Sequence, residues 1–227
     1  MYNLKTSNNK NLTAYKMVIY LVVFYSLWSI RELIVRPIMV DSLDDLAFQI
    51  VGAIIKLLVW TIPAVILIKH YESDMWISLK EMLKNKVKWW HYISVLIAFF
   101  IYNLVSAWIS FGKVEIHQNF VPTSLIGMVL FVGVTEEAVF RGWLLNALLK
   151  KTEIWHAILL NAFLFILIHY PIWIYKGYDF TYFISGSISV LLLSIIFSWA
   201  FIKSKNIFVP MVLHMSWNLF NNFFFGS

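Results

Sequence analysis

Two adjacent carboxylates, Glu136 and Glu137, two histidines, His169 and His214, and the amide Asn218 are side chains in this 227-residue sequence suited to turning water on a carbonyl. A glutamate takes a proton from water, and an imidazole holds or shares that water. A second imidazole and an amide N–H donate to the oxyanion that forms on attack. All five residues lie in segments apolar enough for a bilayer. A charge near the centre of a membrane helix costs at least about 2.5–3.5 kcal/mol on insertion scales, so it persists only where it is paired, wetted by a cavity or used. Helical spacing pairs Glu137 with Arg141, four residues on, and turns Glu136 about 100° away from that pair. Glu136 is therefore expected to lack a local partner and to be the reactive acid.

Other chemistries fit less well. With no cysteine there is no thiol nucleophile and no disulfide. A serine triad is set aside because Asp41, Asp44, Asp45, Asp74 and Asp179 fall in predicted loops, away from the embedded histidines. The H-E-x-x-H signature is missing, which weakens a zinc reading, although Glu136, His169 and His214 remain a plausible metal set. No cofactor is otherwise expected.

The elements that must position these groups are membrane helices. The chain is 61% hydrophobic, 18% aromatic and only 13% charged, with a mean hydropathy of +0.76, where soluble chains carry about 25% charged residues. Seven spans of bilayer length are read at about 17–38, 47–69, 91–111, 122–149, 154–175, 182–202 and 207–224. The expected fold is thus an all-α polytopic transmembrane helical bundle of about seven spans, six to eight. It is one membrane domain over 1–227, with the motif-bearing core at 122–224 and a cytoplasmic loop at 70–90. That loop, with Trp76, Ile77, Leu79, Met82 and Leu83 among charges, reads equally as a surface amphipathic helix or a solvated connection.

The net charge of +6 does not point to nucleic acid, because the bases sit in short loops between apolar spans. Lys5, Lys10, Lys16, Lys69, Lys80, Lys84, Lys86, Lys88, Lys150, Lys151, Lys203 and Lys205 fall on one side, against Arg36, Lys113 and Lys176 on the other. That asymmetry predicts a cytoplasmic N-terminus. No cleavable signal peptide is evident. Within the spans, Arg31, Glu32 and Lys56 are expected either to pair between helices or to line a polar cavity. Asn161, Phe165 and His169 share one helical face, with Tyr170 and Pro171 predicting a kink beside the imidazole. His214, Asn218 and Asn222 form a second stripe. Asn161, Asn221 and Asn222 read as interhelical hydrogen-bonding residues.

Glu136-Glu137-x-x-x-Arg141, then Phe165-x-x-x-His169, then His214-x-x-x-Asn218, in that order on separate spans, resembles the CPBP family of intramembrane glutamic endopeptidases. That family includes the type II CAAX prenyl endopeptidases and the bacterial Abi proteins of bacteriocin processing and self-immunity. The resemblance covers about 136 to 218. It implies a bundle around a wet cavity and hydrolysis of a peptide bond without a covalent intermediate. Glu136 and His169 would activate the water, and His214 and Asn218 would form the oxyanion hole. Glu137 and Arg141 would shape the fourth span, with Phe165 supporting. It also implies a peptide or protein substrate in or at the membrane, the lipid bilayer as surroundings, and a bacterial plasma membrane as location. The competing expectations are a non-proteolytic scaffold or self-immunity protein that binds a membrane partner, and a small transporter. The absence of paired broken helices disfavours the transporter.

Overall fold

A computed structural model describes residues 12–226. Lys5 and Lys10, counted above among the cytoplasmic bases, lie outside the described residues. Among those residues the chain is helical without strands. In order run α1 (Ala14–Ser42), α2 (Asp45–His70), the short α3 (Leu79–Lys84), α4 (Trp89–Phe111), α5 (125–151), α6 (Ile154–Tyr175), α7 (Phe180–Ser204) and α8 (Phe208–Phe225). α1, α2, α4, α6 and α7 are each long and apolar enough to cross a membrane. α5 and α8 do not meet that measure although their lengths match the predicted spans. α5 carries Glu136, Glu137 and Arg141, and α8 carries His214, Asn218, Asn221 and Asn222, so the polar motifs themselves dilute the apolarity.

α5 is the axis of the bundle. Every residue from Thr135 to Leu148 is buried, and the helix packs against α2, α6, α7 and α8. Phe140 of this helix interlocks edge to face with Trp60 and Phe165, Trp60 in turn with Phe24, and Trp143 meets Tyr20 in the same way.

The helices are not regular, and proline explains two of the departures. Wide π-helical turns at Arg31–Val35 and Leu57–Thr61 come just before Pro37 and Pro63. A proline inside a helix removes an N–H and crowds the carbonyl four residues back, and a wider turn relieves both. In α6 the chain breaks at Ile168–His169 and restarts at Tyr170 with Pro171 in the first turn, as the sequence predicts. The α1–α2 connection is tighter than expected. Asp41 closes α1 and Asp45 opens α2, so neither lies in a loop, and the Asp44 carboxylate caps α2 by accepting the Ala47 N–H at 2.8 Å.

At the other end of the bundle, the 70–90 segment docks on the bundle core. Ser78 and Glu81 form a reciprocal cap on α3, while Met75, Ile77 and Met82 are buried. Asn146 of α5 fastens this segment. Its Nδ2 donates to the Ile77 carbonyl and its Oδ1 accepts the Ile77 N–H, both at 2.9 Å, and its own carbonyl accepts from Trp76 N at 3.0 Å. Asp74 ties in two more elements, accepting from Leu12 N at 2.8 Å and Lys151 Nζ at 2.9 Å. The Leu12 amide, with Lys151 behind it, holds the Asp74 carboxyl below the usual carboxylate range.

Asn146→Ala leaves two buried backbone groups of Ile77 without partners, and the expected loss is about 2–4 kcal/mol, read by thermal unfolding in detergent. Because the Asp74 pKa is depressed in the fold, its contribution is present at neutral pH and is lost as pH falls below about 4. Asp74→Asn should therefore flatten the acid side of a melting-temperature profile. An unaltered acid limb would show that this carboxylate carries none of the acid sensitivity.

Candidate active site

The two neighbouring glutamates of α5 enter different networks. Glu137 and Arg141 meet as their spacing predicts, Arg141 Nη1 donating to Glu137 Oε1 at 3.0 Å, with neither residue exposed. Arg141 Nη2 also reaches α7, donating to the Ser194 carbonyl at 3.0 Å and to its Oγ at 2.7 Å, and the guanidinium lies 4.6 Å from the Phe165 ring. His214 of α8 joins the same carboxylate, its Nδ1 2.8 Å from Glu137 Oε1, while its ring stacks on Phe197 at 4.9 Å. A carboxylate accepts, so His214 carries a proton on Nδ1. This network spans α5, α7 and α8 and leaves Glu137 Oε2 and Arg141 Nε without hydrogen-bond partners.

Glu136 points elsewhere, and it is not partnerless. Its Oε1 accepts from Lys56 Nζ of α2 at 2.9 Å, and both residues are buried. Lys56 in turn lies 5.0 Å from the Trp28 ring and 4.9 Å from Trp60. The lone charge in the second span was visible in the sequence, but its partner is 80 residues away on another helix, beyond the reach of any local spacing rule. The other oxygen, Glu136 Oε2, is buried and has no hydrogen-bond partner.

His169 sits at the break in α6, where its Nδ1 lies 3.0 Å from the Phe165 carbonyl. A carbonyl only accepts, so the proton is on Nδ1 and Nε2 is the acceptor of the neutral ring. Glu136 and His169 line one cavity of about 390 Å³, walled by α1, α2, α5 and α6. Arg31, Glu32 and Lys56 line it as well, so these charges both pair and face the cavity. Its exposed lining residues Val40, Asp45 and Lys176 stand at the α1–α2 turn and just after α6, so the cavity opens at that end of the bundle.

The other two predicted site residues are not in the cavity wall. His214 remains within electrostatic range of Glu136, but behind it, on Glu137. Asn218 donates from Nδ2 to the carbonyl of Met128, a residue that does line the cavity, at 3.0 Å. The expected single pocket is thus a cavity holding Glu136 and His169, with His214 and Asn218 behind its α5 wall. Asn161 and Asn222 reach other helices or the preceding loop, through Ser198 Oγ at 3.4 Å and Ser124 Oγ at 3.0 Å. Among the described residues, no three histidines, aspartates or glutamates are grouped to hold a metal ion.

The signature of the type II CAAX prenyl endopeptidase Rce1-like family matches residues 118–220. This stretch of the chain belongs to that family. Comparison with curated proteins and with solved structures found no match. The matched segment contains Glu136, Glu137, Arg141, Phe165, His169, His214 and Asn218, and it excludes Arg31, Glu32 and Lys56. One side of the cavity therefore comes from helices outside the matched CAAX-endopeptidase segment.

Removing one partner of a buried ion pair costs about 3–5 kcal/mol, because the other charge stays buried. Lys56→Met should destabilise the protein by that amount, and Lys56→Arg by markedly less. Thermal unfolding of the purified variants checks this, and equal stability for Lys56→Met and the unaltered protein would dissolve the pairing.

Proposed function

We propose that the chain is an intramembrane endopeptidase that hydrolyses a peptide bond of a membrane-associated peptide or protein with water activated by Glu136 and His169. The observation that supports this most directly is the state of the Glu136 carboxylate. Glu136 lines a cavity that His169 also lines, with Lys56 on Oε1 and no hydrogen-bond partner on Oε2. Oε2 is the oxygen that takes a proton from water, while the ammonium on Oε1 fixes the side chain and balances its charge. His169 Nε2, left as acceptor by the Phe165 carbonyl, shares the same water.

Attack on the scissile carbonyl places negative charge on its oxygen, and donors must await it. His214 spends Nδ1–H on Glu137, so it donates from Nε2 only as the doubly protonated ring, whose charge Glu137 offsets. Asn218 uses one of its two Nδ2 hydrogens on the Met128 carbonyl and keeps the second for the oxyanion. Arg141 and Ser194 hold Glu137 in place for this task. The scheme uses no metal and no cofactor. With the N-terminus cytoplasmic, as the distribution of lysines suggests, the cavity mouth faces the exterior, so the substrate is met from that side.

Glu136→Gln should lose peptide hydrolysis while remaining inserted and folded, measured by mass spectrometry of peptides incubated with the protein in liposomes. Hydrolysis at the unaltered rate would end the glutamate-base mechanism. Asn218→Ala removes one oxyanion donor and should lower the rate by about 10²–10³-fold. A protein that supports a membrane partner without cleaving anything, and does so equally as Glu136→Gln, would instead be a binding or self-immunity scaffold.

A further inference from the structure

The cavity continues past Glu136 into a second charged cluster that the hydrolytic scheme does not use. Asp45, Phe48, Gln49, Gly52, Ala53 and Lys56 all line it. Their spacing of three and four puts them on one face of α2. Eleven residues of helix cover about 16 Å, from exposed Asp45 at the mouth to buried Lys56 beside Glu136. Partway down, Gly52 faces Arg31. A Cβ on Gly52 would stand 3.2 Å from Arg31 Nη2, so the absence of a side chain lets the guanidinium lie close to the helix.

The charges there do not balance. Arg31 is 7% exposed and paired with Glu32, and the second oxygen of that same carboxylate faces Arg36 at 3.5 Å. Two guanidiniums thus share one carboxylate, while Lys56 is already matched by Glu136, and with Asp45 and Lys176 at the mouth the lining holds four cations against three carboxylates. The Nε groups of both arginines are buried without hydrogen-bond partners. Arg36, whose side chain is 22% exposed, also lies over the Phe48 and Tyr175 rings at 5.2 and 5.7 Å, but a ring carries no net negative charge, so an anion entering the cavity would still complete the set. Guanidinium forks favour carboxylates. Trp28 sets the distance to the hydrolytic pair, with Lys56 Nζ 5.0 Å and Arg31 Cζ 5.1 Å from its ring.

We infer that Arg31 and Arg36 form a subsite for a carboxylate of the substrate, and so determine where it is cut. The inference rests on the peptidase reading. Gly52 and Lys56 are four residues apart, about 6 Å along the helix, which is about two residues of extended peptide. The scissile bond therefore lies about two residues from the anionic group. That group is either the C-terminal carboxylate or an acidic side chain.

The test uses the full chain in liposomes and a synthetic library of short apolar peptides in four forms: free acid with one acidic residue, C-terminal amide, acid replaced by its amide side chain, and both neutralised. Cleavage sites and rates are read by mass spectrometry, and binding is read by fluorescence polarisation on Glu136→Gln. Cleavage should cluster about two residues from a carboxylate. Neutralising the recognised group should lower kcat/KM by about 10–100-fold, the worth of a hydrogen bond to a charged group, and the arm that shows the loss names the source. Arg36→Gln, which leaves the Arg31–Glu32 pair balanced, should cause a similar loss with the acid peptide and little further loss with the neutral one. A merely structural role would lower both alike. Equal cleavage of charged and fully neutralised peptides overturns the subsite and leaves the peptidase reading standing. If nothing is cleaved, the peptidase reading falls. The subsite then stands on tighter binding of the acid peptides that Arg36→Gln abolishes, and equal binding overturns it.

Discussion

The structure depends on matching charges that cannot reach bulk water. Arg31, Glu32, Lys56, Glu136, Glu137 and Arg141 are all buried in a bundle whose surroundings are apolar. Each must find a counter-charge or polar partner in the protein, because an ion left alone in such an interior costs several kcal/mol. The networks differ in where they lie. Glu137, Arg141, Ser194 and His214 form a set shut away between α5, α7 and α8. Lys56 with Glu136, and Arg31 with Glu32 and Arg36, border a cavity. In the proposed mechanism the enclosed set is scaffold, and the sets that border the cavity are where chemistry and recognition would occur.

Irregular backbone is how the helices bring these groups to one place. The wide turns before Pro37 and Pro63 start at Arg31 and directly after Lys56, and a third, Ala138–Leu145, directly follows Glu137. Such turns change the rotation of everything beyond them, so side chains that a regular helix would spread around its circumference can be gathered on one wall. The break at His169 has a similar effect in α6. Around them, Trp28 and Trp60 pack against each other and against the Lys56 ammonium, which makes the cation part of an aromatic wall. Aromatic faces supply attraction to a cation without a second buried charge.

α1 and α2 matter more than the extent of the family signature suggests. Residues 118–220 supply the glutamate, both imidazoles and the amide. The ammonium on that glutamate, the paired arginines and the stripe from Asp45 to Lys56 come from the preceding part of the chain. In the proposed mechanism the matched segment carries the reactive groups, and the first two helices shape and charge the space in front of them. On that mechanism, variation in those two helices would change the substrate without changing the reaction.

Apolarity, span lengths and the kink at Tyr170-Pro171 were readable from the sequence because each is a local property of the chain, set by composition or by spacing within one helix. The same is true of the Glu137–Arg141 pair, since four residues on a helix determine proximity before any packing occurs. The partner of Glu136 was not readable. Neither was the use of His214 on Glu137, nor the separation of His214 and Asn218 from the cavity wall. Those relations join residues on different helices, and they depend on the depth and rotation at which the helices pack, which prolines, wide turns and interlocking aromatic rings settle together. Sequence by itself determined which polar groups had to be kept from lipid; only the tertiary structure decided which would be sealed against one another and which would face the cavity.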